Sequence, residues 1–130
     1  MNALARPAAM LFVALLVTST ASSAPLAHIV FFSLKEDTQE NRGVLIKACH
    51  KYLKDHQGEV YFSVGEIAAE LDREVNDQGF QVALHLVFDS MESHDVYQSH
   101  PRHLEFIDIA VPMIEKVRVF DSKLKEPAGE

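Results

Sequence analysis

The chain has 130 residues, 19 of them acidic and 12 basic, for a formal net charge of −7 with histidine neutral. An acidic surface repels a phosphate backbone, and no basic stripe interrupts it, so nucleic acid is a poor partner. The single cysteine, Cys49, rules out an internal disulfide and leaves packing to hold the fold.

The N-terminal segment stands apart from the fold. In MNALARPAAMLFVALLVTSTASSA, Arg6 precedes an apolar run from Ala8 to Val17 and small residues follow, the order of an export signal. The run falls short of the roughly 20 apolar residues of a membrane-spanning helix, and no cysteine follows it to carry a lipid. Cleavage after Ala21, Ser23 or Ala24 leaves a chain with no stable membrane anchor, bound for the periplasm or the exterior. Residues 1–24 therefore read as a signal peptide, 25–124 as one domain and 125–130 as a disordered tail.

LAHIVFFSLK (26–35) is rich in β-branched and aromatic residues and predicts a strand. Alternation sets His28, Val30, Phe32 and Leu34 on one face and Ile29, Phe31 and Ser33 on the other. A helix follows from about Gln39 to His56, with Leu45, Ala48, Cys49 and Leu53 at helical spacing and Gly58 as its stop. Cys49 reads as a small apolar residue of that helix, or as a thiol joining two chains. EVYFSVGEIAAEL (59–71) begins as a second strand, and DREVNDQG (72–79) is a polar turn. FQVALHLVF (80–88) is a third strand, with Phe80, Val82, Leu84, Leu86 and Phe88 on one face. Asp89 or Ser90 caps the next helix. Pro101 interrupts it, and it resumes with Leu104, Ile107 and Val111 inward until Pro112 ends it. VRVFDS (117–122) is a last strand.

The order β-α-β-β-α-β is the ferredoxin-like plan: α+β, one antiparallel four-stranded sheet, both helices on one face. The other face stays bare although the first strand is apolar on both sides. A second copy of the same sheet is the simplest cover, which predicts a homodimer.

HIVFFSLK, VALHLVFDS, the block Y..HPRHLEF and the closing VRVFDS resemble the stress-responsive A/B barrel (Dabb) family from about His28 to Leu124. The resemblance implies a ferredoxin-like protomer in a dimeric α+β barrel, with a cavity for a small molecule between sheet and helices. It also implies that members acting on small molecules, such as plant polyketide cyclases, use no metal or organic cofactor. In those members a histidine of the block is the base. By that correspondence His103 is the base, with Tyr97 and His28 orienting the substrate.

The chemistry of these groups stands beside the resemblance. A neutral imidazole can take a proton from a carbon acidified by a carbonyl, and a phenol can hydrogen-bond the developing enolate. On unbroken helix Tyr97, His100 and His103 would share one face. A purely structural account exists for each: His100 ends one helical piece, His103 caps the next, Tyr97 is a core aromatic and His28 bonds a buried backbone group. The expectation is a small, partly apolar ligand near Tyr97, His103 and His28, with His100, Phe32, Leu84 and Phe106 as further ligand contacts. An enzyme of the cyclase or isomerase kind would use the same pocket. A purely structural stress protein would fill it with Phe32, Leu84 and Phe106.

Other patterns carry less. His50, His56 and His94 read as solvent-side residues. Seven histidines raise the question of zinc, but no H-E-x-x-H or Cys/His spacing is present. The expectation is therefore no metal site and no cofactor, with a three-histidine site from His28, His100 and His103 as an alternative that no motif supports. Asp72, Glu74 and Asp77 are solvated turn charges. The sequence contains neither a glycine-rich phosphate loop nor a Gly-x-Ser-x-Gly.

Overall fold

The computed structural model describes Val13, Ala14, Leu16 and residues 23–129, so the signal-peptide segment lies almost wholly outside the described residues. The elements are β1 (Leu26–Leu34), α1 (Gln39–Tyr52), β2 (Glu59–Glu66), β3 (Val82–Phe88), α2 (Met91–Ser99), α3 (Pro101–Ala110) and, after one 3-10 turn, β4 (Ile114–Lys123). All strand pairs are antiparallel in the order β2-β3-β1-β4. This is the ferredoxin-like plan expected from the sequence. Among the described residues no helix is long and apolar enough to cross a membrane.

Period-2 alternation fixes which residues look inward. His28 pairs with Leu86 and Asp121, Val30 with Leu84 and Val119, Phe32 with Val82 and Val117, so these share the helix-covered face. There Val30, Phe32, Leu84, Leu86 and Phe88 meet Leu45 and Cys49 of α1, Tyr97 of α2 and Phe106 of α3 in one core. Cys49 is fully buried, and burial pushes its thiol up to about 12. It is a core residue and is out of reach of a second chain's thiol. The opposite face carries Ile29, Phe31, Tyr61, Val87 and Phe120, with Tyr61 54 % and Phe120 53 % exposed.

Several boundaries differ from the sequence reading. Helix α1 stops at Tyr52 rather than His56, because Asp55 takes a positive φ of 64°. Arg102 on α3 then donates to the carbonyls of Lys51 and Lys54 at 2.8 and 2.9 Å, collecting acceptors that the helix end leaves free. Gly58, at φ 80°, makes the turn into β2, and a Cβ there would collide with Ser93 and Asp89. Strand β3 begins at Val82, so Phe80 escapes the alternation and stacks on Phe31 of the open face, ring centroids 4.8 Å apart. Strand β4 is longer than 117–122 at both ends.

The inward stripe of α3 is also different from that expected. Phe106 and Ala110 are buried, whereas Leu104 and Val111 are 50 % and 60 % exposed and Ile107 is exposed too. The helix is apolar on most sides, so its own pattern does not define a face. The junction at His100–Pro101 does: His100 is extended (φ −66°, ψ 139°), which ends α2 and re-aims α3.

Candidate functional site

A cavity of ≈ 200 Å³ lies between the inner sheet face and the last two helices. Its floor is His28, Val30 and Phe32 from β1 with Leu84 from β3. Its roof is Tyr97 and Gln98 from α2 with His103, Phe106 and Ala110 from α3. Ile107 of α3, Val111 of the 3-10 turn, and Val117 and Val119 of β4 line it while remaining exposed, so they form an apolar rim. Phe32, Leu84 and Phe106 are thus walls of the space and do not plug it.

Tyr97 is the centre of the polar part. It is 1 % exposed, and its ring meets His103 at 4.6 Å, His56 at 4.9 Å and His28 at 6.0 Å between centroids. Burial raises its phenol far above the usual value of 10, so it stays a neutral hydrogen-bond donor.

The three imidazoles around it each have one ring nitrogen committed to a group that can only accept. His103 Nδ1–H donates to the Gln98 carbonyl at 3.0 Å, His56 Nε2–H to the Tyr52 carbonyl at 2.7 Å, and His28 Nδ1–H to Asp121 Oδ1 at 2.6 Å. In the neutral ring this sets the tautomer and leaves the other nitrogen with a lone pair. Burial is the largest influence on all three and pulls each below 6.5. For His28 it outweighs the opposing pull of Asp121. At neutral pH the cavity therefore has uncharged bases beside an uncharged phenol. Chemically it can accept a proton at His103 Nε2 and donate a hydrogen bond from Tyr97 to a carbonyl or enolate oxygen.

Of the residues expected from sequence, Tyr97, His103, His28, Phe32, Leu84 and Phe106 converge on the cavity. His100 does not. Its Nδ1 accepts from the Arg102 backbone N–H at 3.1 Å, so it is the N-cap of α3, with Pro101 at the first helical position. His56 and His94 are corrections of the opposite kind. His56 is only 7 % exposed and stacks between Tyr97 and His100, and the side chain of His94 is 13 % exposed, 5.0 Å from His28 between centroids. Asp121 was missed altogether. The available signal was the register of β4 on β1, which sets it opposite His28.

Residues 26–124 match the family model described as Stress responsive A/B Barrel Domain. A stress-response A/B barrel domain-containing protein of Arabidopsis thaliana, At5g22580, is 28 % identical over 97 residues, covering 72 % of this chain and 81 % of that protein. Among solved structures, a dimeric ferredoxin-like protein of unknown function from Thermobifida fusca superposes with a TM-score of 0.65 at 19 % identity, over 78 % of this chain and 92 % of the other. A hydroxynitrile lyase from Passiflora edulis superposes with a TM-score of 0.64 at 24 % identity, over 82 % and 98 %. At these identities the two structures speak to the fold alone.

Proposed function

The chain belongs to the stress responsive A/B barrel domain family, and from that premise we propose that it is an exported homodimer holding a small, partly apolar molecule against Tyr97, His103 and His28. The observation that carries the reading is the ≈ 200 Å³ cavity whose polar groups gather around Tyr97 while the rest of its wall is apolar. An apolar cavity of about 150 Å³ accepts benzene, so the occupant is a single ring with small substituents. A carbonyl or hydroxyl on that ring would meet Tyr97 and His103.

The dimer forms through the open sheet face, where half-buried Phe31 and Phe80 and exposed Phe120 make an aromatic cluster. The dimeric ferredoxin-like neighbour supports this assembly. Export rests on the N-terminal order of Arg6, apolar run and small residues.

A second reading makes the same cavity a cofactor-free site for removing a proton next to a carbonyl. It is favoured by the His103 bond to Gln98, which leaves Nε2 as the free base.

Single-ring phenols and aryl ketones, titrated by ligand-observed NMR, test both. Binding that weakens at least about tenfold in His103→Gln and Tyr97→Phe supports the ligand site, because each variant strands one polar group of the ligand (about 1–3 kcal/mol). Binding that is absent, or equal in all three proteins, removes it. Exchange of the ketone α-proton with D2O, present in the wild type and lost in His103→Gln, supports the base. A bound ketone that does not exchange leaves a binder only.

A further inference from the structure

We propose that His28, His94 and Asp121 form a binding site for one divalent first-row transition cation, of which Zn(II) fits the donor set best. One donor atom from each of the three side chains lies within 4.8 Å of the others. They arrive from three different elements, β1, the first turn of α2 and β4, with His28 and Asp121 separated by 93 positions in the chain. That separation is why no spacing motif announces them and why the sequence alone predicts no metal.

Two imidazoles and a carboxylate are a donor set that Zn(II), Co(II) and Fe(II) accept, with remaining positions left to water. Donors about 2.1 Å from a tetrahedral zinc stand roughly 3.4 Å apart. His28 and Asp121 already approach to 2.6 Å, so the adjustment needed falls on His94 and on the Asp121 side chain. Asp121 has room to make it, being 44 % exposed on an edge strand. His28 is rigid by contrast, at 5 % exposure among packed neighbours. The site would thus have one fixed ligand and two adjustable ones.

Lys123, two positions beyond Asp121 on β4, shares its sheet face and is a positive charge that opposes the cation. A cation must replace the His28 Nδ1–H bond to Asp121 at 2.6 Å; at His94 it meets only long contacts, Gln98 Nε2–H donating to His94 Nε2 at 3.2 Å and His94 Nδ1–H reaching Asp95 at 3.2 Å. The rival account is an ordinary His28–Asp121 pair with His94 as a neighbour. The inference is independent of any organic ligand in the cavity, although His28 belongs to both places.

The test uses the full chain after treatment with a chelator and dialysis. Isothermal titration with ZnCl2 is expected to give one site per chain, and Co(II) the visible absorption of a tetrahedral ion. His94→Ala and Asp121→Asn, both at partly exposed positions, should each weaken binding at least about tenfold, while His50→Ala, on the far side of α1, should not. In the unmodified protein, Co(II) should shift the ring-proton NMR signals of His28 and His94 before those of His50 or His85. No binding, binding indifferent to both variants, or cobalt shifts that spare His28 and His94 would each overturn the proposal.

Discussion

Filling the cavity should raise stability and abolish binding together. Ala110 is 2 % exposed, lines the space and lies one helical turn beyond Phe106. Ala110→Leu adds three carbons, and the wall offers ≈ 200 Å³ to receive them. At about 0.8 kcal/mol per buried methylene the ceiling is roughly 2.4 kcal/mol. An imperfect rotamer beside Phe106 and Ile107 costs about 0.5–1.5 kcal/mol, leaving a net gain of about 1–2 kcal/mol. For a domain of this size that is a rise of roughly 4–8 °C in Tm per kcal/mol. Scanning calorimetry reads the first effect, and ligand-observed NMR with benzene and phenol reads the second. If the space were closed in solution, the same change would overpack the core and cost about 1–3 kcal/mol. A lowered Tm with probe binding unchanged would refute the cavity argument.

Three further outcomes follow from the geometry. His100→Ala removes a helix N-cap and should cost about 1 kcal/mol in chemical denaturation, with phenol binding unaltered; lost binding at full stability would return His100 to the site. His56 and His103 sit below 6.5 because burial disfavours their charged forms, so the unfolded chain takes up protons that the folded chain refuses. Stability should therefore be full above about pH 6.5 and decline as pH falls below it, by at most ~1.4 kcal/mol per pH unit per withheld proton, with the share of the more accessible His103 smaller. Denaturation curves between pH 7.5 and 5 should be flatter for His56→Gln, and an unchanged slope contradicts the assignment. On the open sheet face Phe120 is 53 % exposed, so Phe120→Lys removes about half of the roughly 1.5–3 kcal/mol of a full Phe burial, counted twice in a two-fold interface. A shift of at least about tenfold in dimer dissociation should appear by analytical ultracentrifugation, and a wild-type protein that is monomeric throughout would exclude the sheet-to-sheet dimer.

The strands were legible because their signal is local. In Val82 to Phe88 the large apolar residues Val82, Leu84, Leu86 and Phe88 recur at every second position, and the side-chain period of two assigns each to a face before any partner is known. The helix ends were less so. Nothing in the run Lys51–His56 forces a stop at Tyr52; Arg102, half a chain away, captures the end carbonyls, and Asp55 turns the backbone. Helix α3 is the clearest failure. Apolar residues at 104, 106, 107, 109 and 110 surround it, so periodicity left its rotation undetermined and the Pro101 junction chose Phe106 and Ala110.

The histidines divide along the same line. Tyr97 and His103 belong to one short block, and His28 lies on a strand whose inward face was readable, so their convergence was foreseeable from pattern and resemblance. His100 belongs to the same block, yet the extended backbone before Pro101 turned it into a cap. His56 and His94 lie on segments that look solvated in isolation, and only packing against Tyr97 and His28 buries them. The amino-acid order by itself determined the element sequence and the inward faces of the strands, because each depends on neighbours within a few residues. Tertiary structure alone decided which imidazoles meet Tyr97, and that Asp121 meets His28 and His94. Those contacts depend on strand register and helix rotation, which are settled only when the whole core closes.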